Sequence, residues 1–473
     1  MKLRIGSSAP KAVAVALPVP LGGALPDEAE AAARVAGFSG VAGTCCEVRS
    51  LGQVLLLVGV GPSPTEASYR SAGALAVARL GGLKRIALDA RGLLAGSAAA
   101  FALGAMLRGW TPPQNRRDPN PEAQKLANID LLSNAPGIEA AWSNAEAAWQ
   151  GAKLARDLVA LPSDVLSPDG FIDRLEPLRK AGVSITVLKR RALAHEGLGA
   201  LLAVGRGSAH RPRLVLLRWE GALETPPVVF VGKGITFDTG GICIKPADKM
   251  WEMRADMAGA AACAGAMLSL ALRRSAAPAC AVLALAENAI GAEAYRPGDV
   301  LTTFGGKTIE VIDTDAEGRL VLADALGWAV ARLKPQAVID LATLTGSIVV
   351  GLGHEMGGLF SNDDALAAYV AAAGEATGEL VWRMPLGAGY REALNSDIAD
   401  IANCAKGRYQ PDASHAATFL SEFVGEAAWV HLDIAGVEAR EAADDRHAAG
   451  ATGFGVRLLD RLVSQRFEDP HRA

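Results

Sequence analysis

A chain of 473 residues, 50% hydrophobic and 21% charged, with a formal net charge of −4, is long enough for more than one domain with a sizeable core. That balance supplies no electrostatic footprint for nucleic acid, and no run reads as long and apolar enough for a membrane span, so neither a membrane nor nucleic acid is an expected partner. The six cysteines (Cys45, Cys46, Cys243, Cys263, Cys280, Cys404) include no C-x-x-C pair, and the seven histidines no H-x-x-x-H; a reducing, cytoplasmic setting is expected, and any metal has to take mostly oxygen ligands.

The first apolar run, 12–17, is short and ends at Pro18, as a first strand does rather than a signal peptide. Short apolar strands (54–60, 85–90) then alternate with alanine-rich helices (65–80, 93–110) in the rhythm of a small α/β domain. Gly59-Val60-Gly61 follows a strand, but Pro62 and Pro64 break the glycine spacing of a dinucleotide loop, so a plain turn is expected. A polar stretch (111–122) precedes a strand at 125–132. A long amphipathic helix over 138–161 then leads to Pro162 as an inter-domain connector. The expected division is an N-terminal α/β domain (1–137), a connecting helix and linker (138–165) and a larger C-terminal α/β domain (166–473). In the last, near-continuous apolar strands (183–188, 214–218, 228–231, 279–286, 337–341, 429–434) imply a central mixed sheet covered by helices on both faces, with ligands bound at strand ends.

Directly after the strand at 228–231 comes Gly232-Lys233-Gly234-Ile235-Thr236-Phe237-Asp238-Thr239-Gly240-Gly241, with Lys245 shortly beyond. Glycines around Lys233 and Asp238 suggest a bent backbone that aims both inward, and the order of a phosphate-cradling loop is absent. At least one of the two lysines is expected inside the protein, with its pKa lowered by burial. Asp256 opens an alanine-rich helix, where capping is the ordinary role of an aspartate. Asp313-Thr314-Asp315-Ala316-Glu317-Gly318-Arg319-Leu320 then packs three acids and an arginine between a strand (308–312) and a helix (320–331). Asp315 and Glu317 share a face in an extended turn and repel unless a cation sits between them, Gly318 permits close approach, and Arg319 can hold a small anion. Asp238, Asp256, Asp315 and Glu317 balance two divalent cations if Lys233 is neutral and ligating. A bridging hydroxide would then be offset by Lys245 and Arg319, which is the inventory of a dinuclear hydrolase.

These blocks, together with Met253-Arg254-Ala255-Asp256-Met257-Ala258-Gly259, Arg296 to Leu301, Asp340 to Gly346 and Trp429 to Gly436, resemble the leucine aminopeptidase family of cytosolic dinuclear-metal enzymes, in the family's order. The resemblance implies one metal on Asp238, Asp315 and Glu317 and a second on Lys233, Asp238, Asp256 and Glu317. Manganese or zinc is expected, with cobalt or magnesium also accepted. It further implies Lys245 on the scissile carbonyl, a bicarbonate ion on Arg319 that shuttles the proton, peptide substrates with a free N-terminus, a preference for leucine and other apolar residues, and a homohexamer. The chain departs from the pattern at Asp313, where the family has asparagine and where a solvated turn residue is expected. It departs again at Leu161-Pro162-Ser163-Asp164, and at 410–415, which replaces a glycine-rich turn and places His415 in a loop or interface. A dipeptidase with the same site, acting for example on cysteinyl-glycine, is the near alternative. A DNA-binding regulatory role is the distant one, and Arg116, Arg117, Lys180, Arg190 and Arg191 are too dispersed to make a basic stripe.

Overall fold

The computed structural model describes residues 1–8, 14–50, 53–113, 126–407 and 410–469, so Arg116, Arg117 and the start of the strand expected at 125–132 lie outside the described residues. Contacts divide the chain into two units, Met1–Trp149 with Arg440–Gly450, and Gln150–Ala439 with Ala451–Ala473. The division falls inside the helix Ile138–Val159, the expected connector, which contributes to both.

The first unit holds β1 (Lys2–Gly6), β2 (Ala14–Pro20), β3 (Cys45–Ser50), β4 (Gln53–Gly61), β5 (Arg85–Asp89) and β6 (Asn128–Leu132) in one sheet of order β1-β6-β5-β2-β4-β3. Its neighbours are parallel except the β3–β4 pair. The parallel strands need crossovers, and the helices Glu66–Leu80 and Ala95–Arg108 supply two of them. Gly59-Val60-Gly61 is the end of β4 and not the turn expected there, and Glu66–Leu80 opens just past it on a capping box between Thr65 and Ser68.

The second unit is built on an eight-stranded mixed sheet. In chain order the strands are β7 (Ser184–Leu188), β8 (Arg213–Trp219), β9 (Val228–Asp238), β10 (Ala279–Asn288), β11 (Val300–Thr302), β12 (Thr308–Glu310), β13 (Ala337–Ala342), β14 (Gly357–Ser361), β15 (Val381–Arg383), β16 (Ile401–Ala402) and β17 (Trp429–Asp433). The main sheet runs β15-β14-β17-β13-β9-β10-β8-β7, and β11, β12 and β16 form a separate three-stranded sheet. The central neighbours β17, β13, β9 and β10 are parallel, so their C-terminal ends share one edge, which carries Asp433, Thr343, Asp238 and Asn288. Helices cover both faces: a Cβ on Gly232 would meet Ala260 of the helix Ala258–Leu272, while a Cβ on Gly318 of the helix Glu317–Leu333 would meet Lys233. Successive residues of a strand point to opposite faces, so neighbours 232 and 233 report one helix each.

Three expectations need correction. The stretch from Gly232 to Asp238 is not a bent loop but the continuation of β9, because it stays hydrogen-bonded to β10. The strand expected at 308–312 shrinks to β12 in the small sheet, and the helix begins at Glu317, three residues before its expected start. Among the described residues one helical stretch, Met250–Leu272, is long and apolar enough to cross a membrane. Its most apolar window is 89% buried inside the fold, as a core helix of that composition must be.

Candidate metal and catalytic site

The site begins with an irregularity in β9. Ile235 pairs with Ala286 and Asp238 with Asn288, so β9 spends one residue more than β10 over this step, a bulge. Without it, Lys233 and Asp238, five residues apart, would face opposite sides of the sheet; the extra residue returns Asp238 to the side of Lys233. Glu317 reaches the same place as the first residue of its helix, and Asp256 from the short 3-10 turn Met250–Ala255 just before Ala258–Leu272. Both acids therefore stand at helix N-termini, where carboxylates are favoured. Asp256 makes no capping bond; the cap of that helix is Met257.

Six of the seven residues singled out in the sequence meet here. Lys233 Nζ lies 2.7 Å from Asp256 Oδ1 and 3.0 Å from Glu317 Oε1, and also donates to the Thr343 carbonyl at 2.9 Å. Lys245 Nζ lies 2.9 Å from Asp238 Oδ2 and 2.5 Å from Asp315 Oδ1. Carboxylate oxygens of Asp238, Asp315 and Glu317 lie within 4.8 Å of one another. Lys233 is buried, whereas a fifth of the Lys245 side chain and a third of that of Asp315 remain exposed, so the cluster opens to solvent on the Lys245 side.

Four carboxylates against two ammonium groups leave a formal surplus of two negative charges (4 − 2) in a mostly buried cluster. Burial, Glu317 and Asp238 together outweigh Lys233 and push the Asp256 carboxyl up to about 8. Burial with Asp238 and Glu317 likewise brings Asp315 to about 7, and Glu317 is raised by burial and Asp238. Both lysines move upward. Burial pulls each ammonium down, but Asp256, Glu317 and Asp238 around Lys233, and Asp238, Glu317 and Asp315 around Lys245, outweigh it. The expectation of a lowered lysine pKa is corrected: it considered burial without the carboxylates that accompany it.

Residues outside the expected set hold these side chains in place. Asn288 donates to Asp238 Oδ1 at 2.8 Å and to the Thr314 carbonyl at 3.0 Å, and Thr343 Oγ1 donates to Asp256 Oδ1 at 2.6 Å. Asn403, fully buried, accepts from the Ile312 N–H, donates to the Asp313 carbonyl and gives its own carbonyl to Arg319 Nη1. Asn288 and Thr343 sit at strand ends, which was a usable signal; Asn403 lies about ninety positions from its partners and gave none. Asp313 behaves as a turn residue: its Oδ1 accepts the Asp315 N–H at 2.8 Å, which fixes the backbone that presents Asp315. Gly240, at φ +84°, makes the turn that brings Lys245 back, and a Cβ there would lie 2.9 Å from Asp315 Oδ1.

The donor set fits divalent cations. Asp256 Oδ2 and Glu317 Oε2 are buried without a hydrogen-bond partner, in a cluster that already carries excess negative charge. Such orphaned acceptors are costly unless a cation completes them. Gly318 gives a direct check, since a Cβ at that position would stand 2.6 Å from Lys233 Cε and 2.8 Å from its Nζ. Gly318→Ala is expected to leave the helix intact but to displace Lys233, lowering divalent-metal affinity about tenfold to a hundredfold in a calorimetric titration. Undiminished affinity would separate Lys233 from the metal site.

Arg319 stands apart from the six. It is buried, and its Nη2 donates to both oxygens of Asp412 at 2.9 and 3.1 Å. Asp412 opens the helix Asp412–Ser421, which also carries His415, buried on that helix rather than in a loop.

The sequence pattern of the cytosol aminopeptidase family, catalytic domain, matches residues 153–460. Relatives include the probable cytosol aminopeptidases of Brucella ovis, 43% identical over 97% of both chains, and of Methylorubrum populi, 44% identical over 88% of this chain and 84% of that one. Among solved structures, the bottromycin maturation enzyme BotP in complex with Mn superposes with a TM-score of 0.86 at 37% identity, covering 96% of this chain and 99% of that one. A tomato leucine aminopeptidase mutant superposes with a TM-score of 0.84 at 32% identity, covering 98% and 96%.

Proposed function

The chain belongs to the cytosol aminopeptidase family and is a metal-dependent aminopeptidase, and from that premise we propose how its residues divide the work. One divalent cation would be held by Asp238, Asp315 and Glu317, and a second by Asp238, Asp256, Glu317 and Lys233, whose ammonium would give up its proton to ligate. The observation that carries this reading is the pair of buried, unpartnered oxygens, Asp256 Oδ2 and Glu317 Oε2, in a cluster with surplus negative charge. Bound there, the cations would supply an activated water nucleophile and polarise the scissile carbonyl. Manganese or zinc suits the oxygen-rich set with one amine, and manganese accompanies the similar BotP structure.

The chain's own groups do the rest. Asp256 marks the end of the site that accepts the free amine of the substrate, so a blocked or internal amine finds no place there. Lys245, ion-paired yet open to solvent, donates to the carbonyl oxygen as negative charge develops on it. Asn288 and Thr343 hold Asp238 and Asp256 in place, so those acids need no rearrangement during turnover. The preferred substrate is a short peptide with leucine or another apolar residue first, the enzyme is a homohexamer, and its location is cytoplasmic. Sedimentation of the purified protein checks the assembly.

The bicarbonate ion expected on Arg319 would meet a guanidinium that already has an anionic partner in this chain. An anion bound through two donors needs an edge of the guanidinium, either Nη1 with Nη2 or Nη2 with Nε. Nη2 already donates to the Asp412 carboxylate and Nη1 to the Asn403 carbonyl, so a dissolved anion would have to compete with a tethered carboxylate for this guanidinium. No step of the reaction is therefore assigned to bicarbonate.

Chelation followed by metal add-back tests the whole reading. The chelated protein is expected to lose hydrolysis of leucyl nitroanilide and of leucyl peptides, manganese or zinc to restore it, and N-acetyl-leucyl substrates to stay intact throughout. Turnover of the acetylated substrate, or full activity after exhaustive chelation, would overturn it. Activity confined to dipeptides such as cysteinyl-glycine would convert it to the dipeptidase reading.

A further inference from the structure

We propose that Asp412 is a built-in replacement for an external anion on Arg319, so that this enzyme works without bicarbonate. The inference rests on the catalytic reading proposed above, in which Glu317 holds metal, and Arg319 lies two residues after Glu317 on the same helix. Arg319 leaves the first turn of the helix that begins with Glu317, and its side chain is 3% exposed. A buried guanidinium needs an anionic partner, and only its Nε is left without a bond. Asp412 meets that need from a different segment of the chain, with both carboxylate oxygens on Nη2.

The position of Asp412 is fixed independently of Arg319. Pro411 precedes it, it is the first residue of a ten-residue helix whose N-terminus favours negative charge, and the next N–H, of Ala413, donates to Ser347 Oγ at 2.7 Å. A carboxylate held in this way is present at an effective concentration that a dissolved anion of millimolar abundance does not match. The anionic partner of Arg319 is thus supplied within the chain, and its guanidinium is held by Asp412 and the Asn403 carbonyl whether or not bicarbonate is present.

Asp412 is accordingly a positioning residue, and the decisive readout is anion dependence rather than activity alone. The full-length, zinc-loaded protein would be assayed on leucyl nitroanilide in carbonate-depleted buffer with and without added bicarbonate. Its rate is expected to change less than about twofold, whereas Asp412→Ala is expected to lose about tenfold, the worth of one charge-assisted bond, and to regain most of it with bicarbonate or formate. Asp412→Asn, which keeps the volume without the charge, is expected to lose as much and to be rescued less, and it serves if the alanine variant does not fold. In a separate binding measurement, the carbon-13 line of labelled bicarbonate is expected to stay sharp with the parent protein and to broaden with Asp412→Ala. Several-fold activation of the parent by bicarbonate, or a folded Asp412→Ala that no small anion rescues, overturns the proposal. A parent protein inactive on every free-amine substrate instead overturns the catalytic reading, and the binding measurement still decides whether Asp412 fills the anion's place.

Discussion

Glu317→Gln is expected to reduce turnover of leucyl nitroanilide by about a thousandfold or more while the protein folds normally. The glutamine has the same shape, so the core around this residue, 1% exposed in the parent, is not opened. What disappears is the charge shared between both proposed cations. The fold should not suffer for it: burial and Asp238 already raise the Glu317 carboxyl, so a neutral group there relieves like-charge crowding in the metal-free state. The loss is read instead in the stabilisation that metal confers. A cation at a hundred times its dissociation constant adds about 2.7 kcal/mol to the parent, and most of that increment should vanish from the melting curve of the variant. The pH dependence carries the same signature. Asp256 and Asp315, raised to about 8 and about 7, keep protons in the folded metal-free chain that the unfolded chain sheds near pH ~4, so metal-free stability falls as pH rises from there to the folded values. Those protons compete with cations, so metal affinity climbs over the same window, and Glu317→Gln flattens the climb. Full activity, or an undiminished metal-induced shift, would refute the assignment.

The parts of this site legible in the sequence are those whose chemistry is local. Asp315, Glu317 and Gly318 lie within four residues at the start of one helix, and the apolar strands that deliver Lys233 and Asp238 announce themselves by continuous hydrophobicity. The resemblance to leucine aminopeptidases rests on the same local blocks, and the match over residues 153–460 and the mixed two-unit α/β fold agree with it. The remainder depends on register and on distant partners. Lys233 and Asp238 have the wrong parity for one face of a strand, and only the pairing of β9 with β10 reveals the bulge that reconciles them. The raised lysine pKa values follow from carboxylates that reach them from up to 84 positions away (317 − 233), which no window of sequence displays. Asp412 lies 93 residues from Arg319, so the sequence showed an unusual loop but not that its acid lands on the arginine.

Lys245→Met should separate a substrate-facing cation from a metal-facing acid. Lys245 touches the same cluster as Glu317, but its ammonium is partly open to solvent and its partners are Asp238 and Asp315, two of the proposed ligands. Without metal it neutralises them; a bound cation would take over that task, and on the proposed reading the ammonium would then serve the carbonyl oxygen of the substrate. Loss of one such preorganised donor costs about a hundredfold to a thousandfold in kcat, with a smaller change in KM, because the interaction strengthens as the oxygen becomes negative. The metal-dependent melting shift should move opposite to that of Glu317→Gln. Without its ammonium the metal-free state of Lys245→Met is destabilised by two uncompensated acids, one of them already raised to about 7 by burial and its neighbours, whereas the metal-bound state is not. The shift on adding manganese or zinc is therefore expected to persist or grow while turnover collapses. A Lys245→Met variant that loses its metal response along with its activity would place this lysine among the groups that hold the cations.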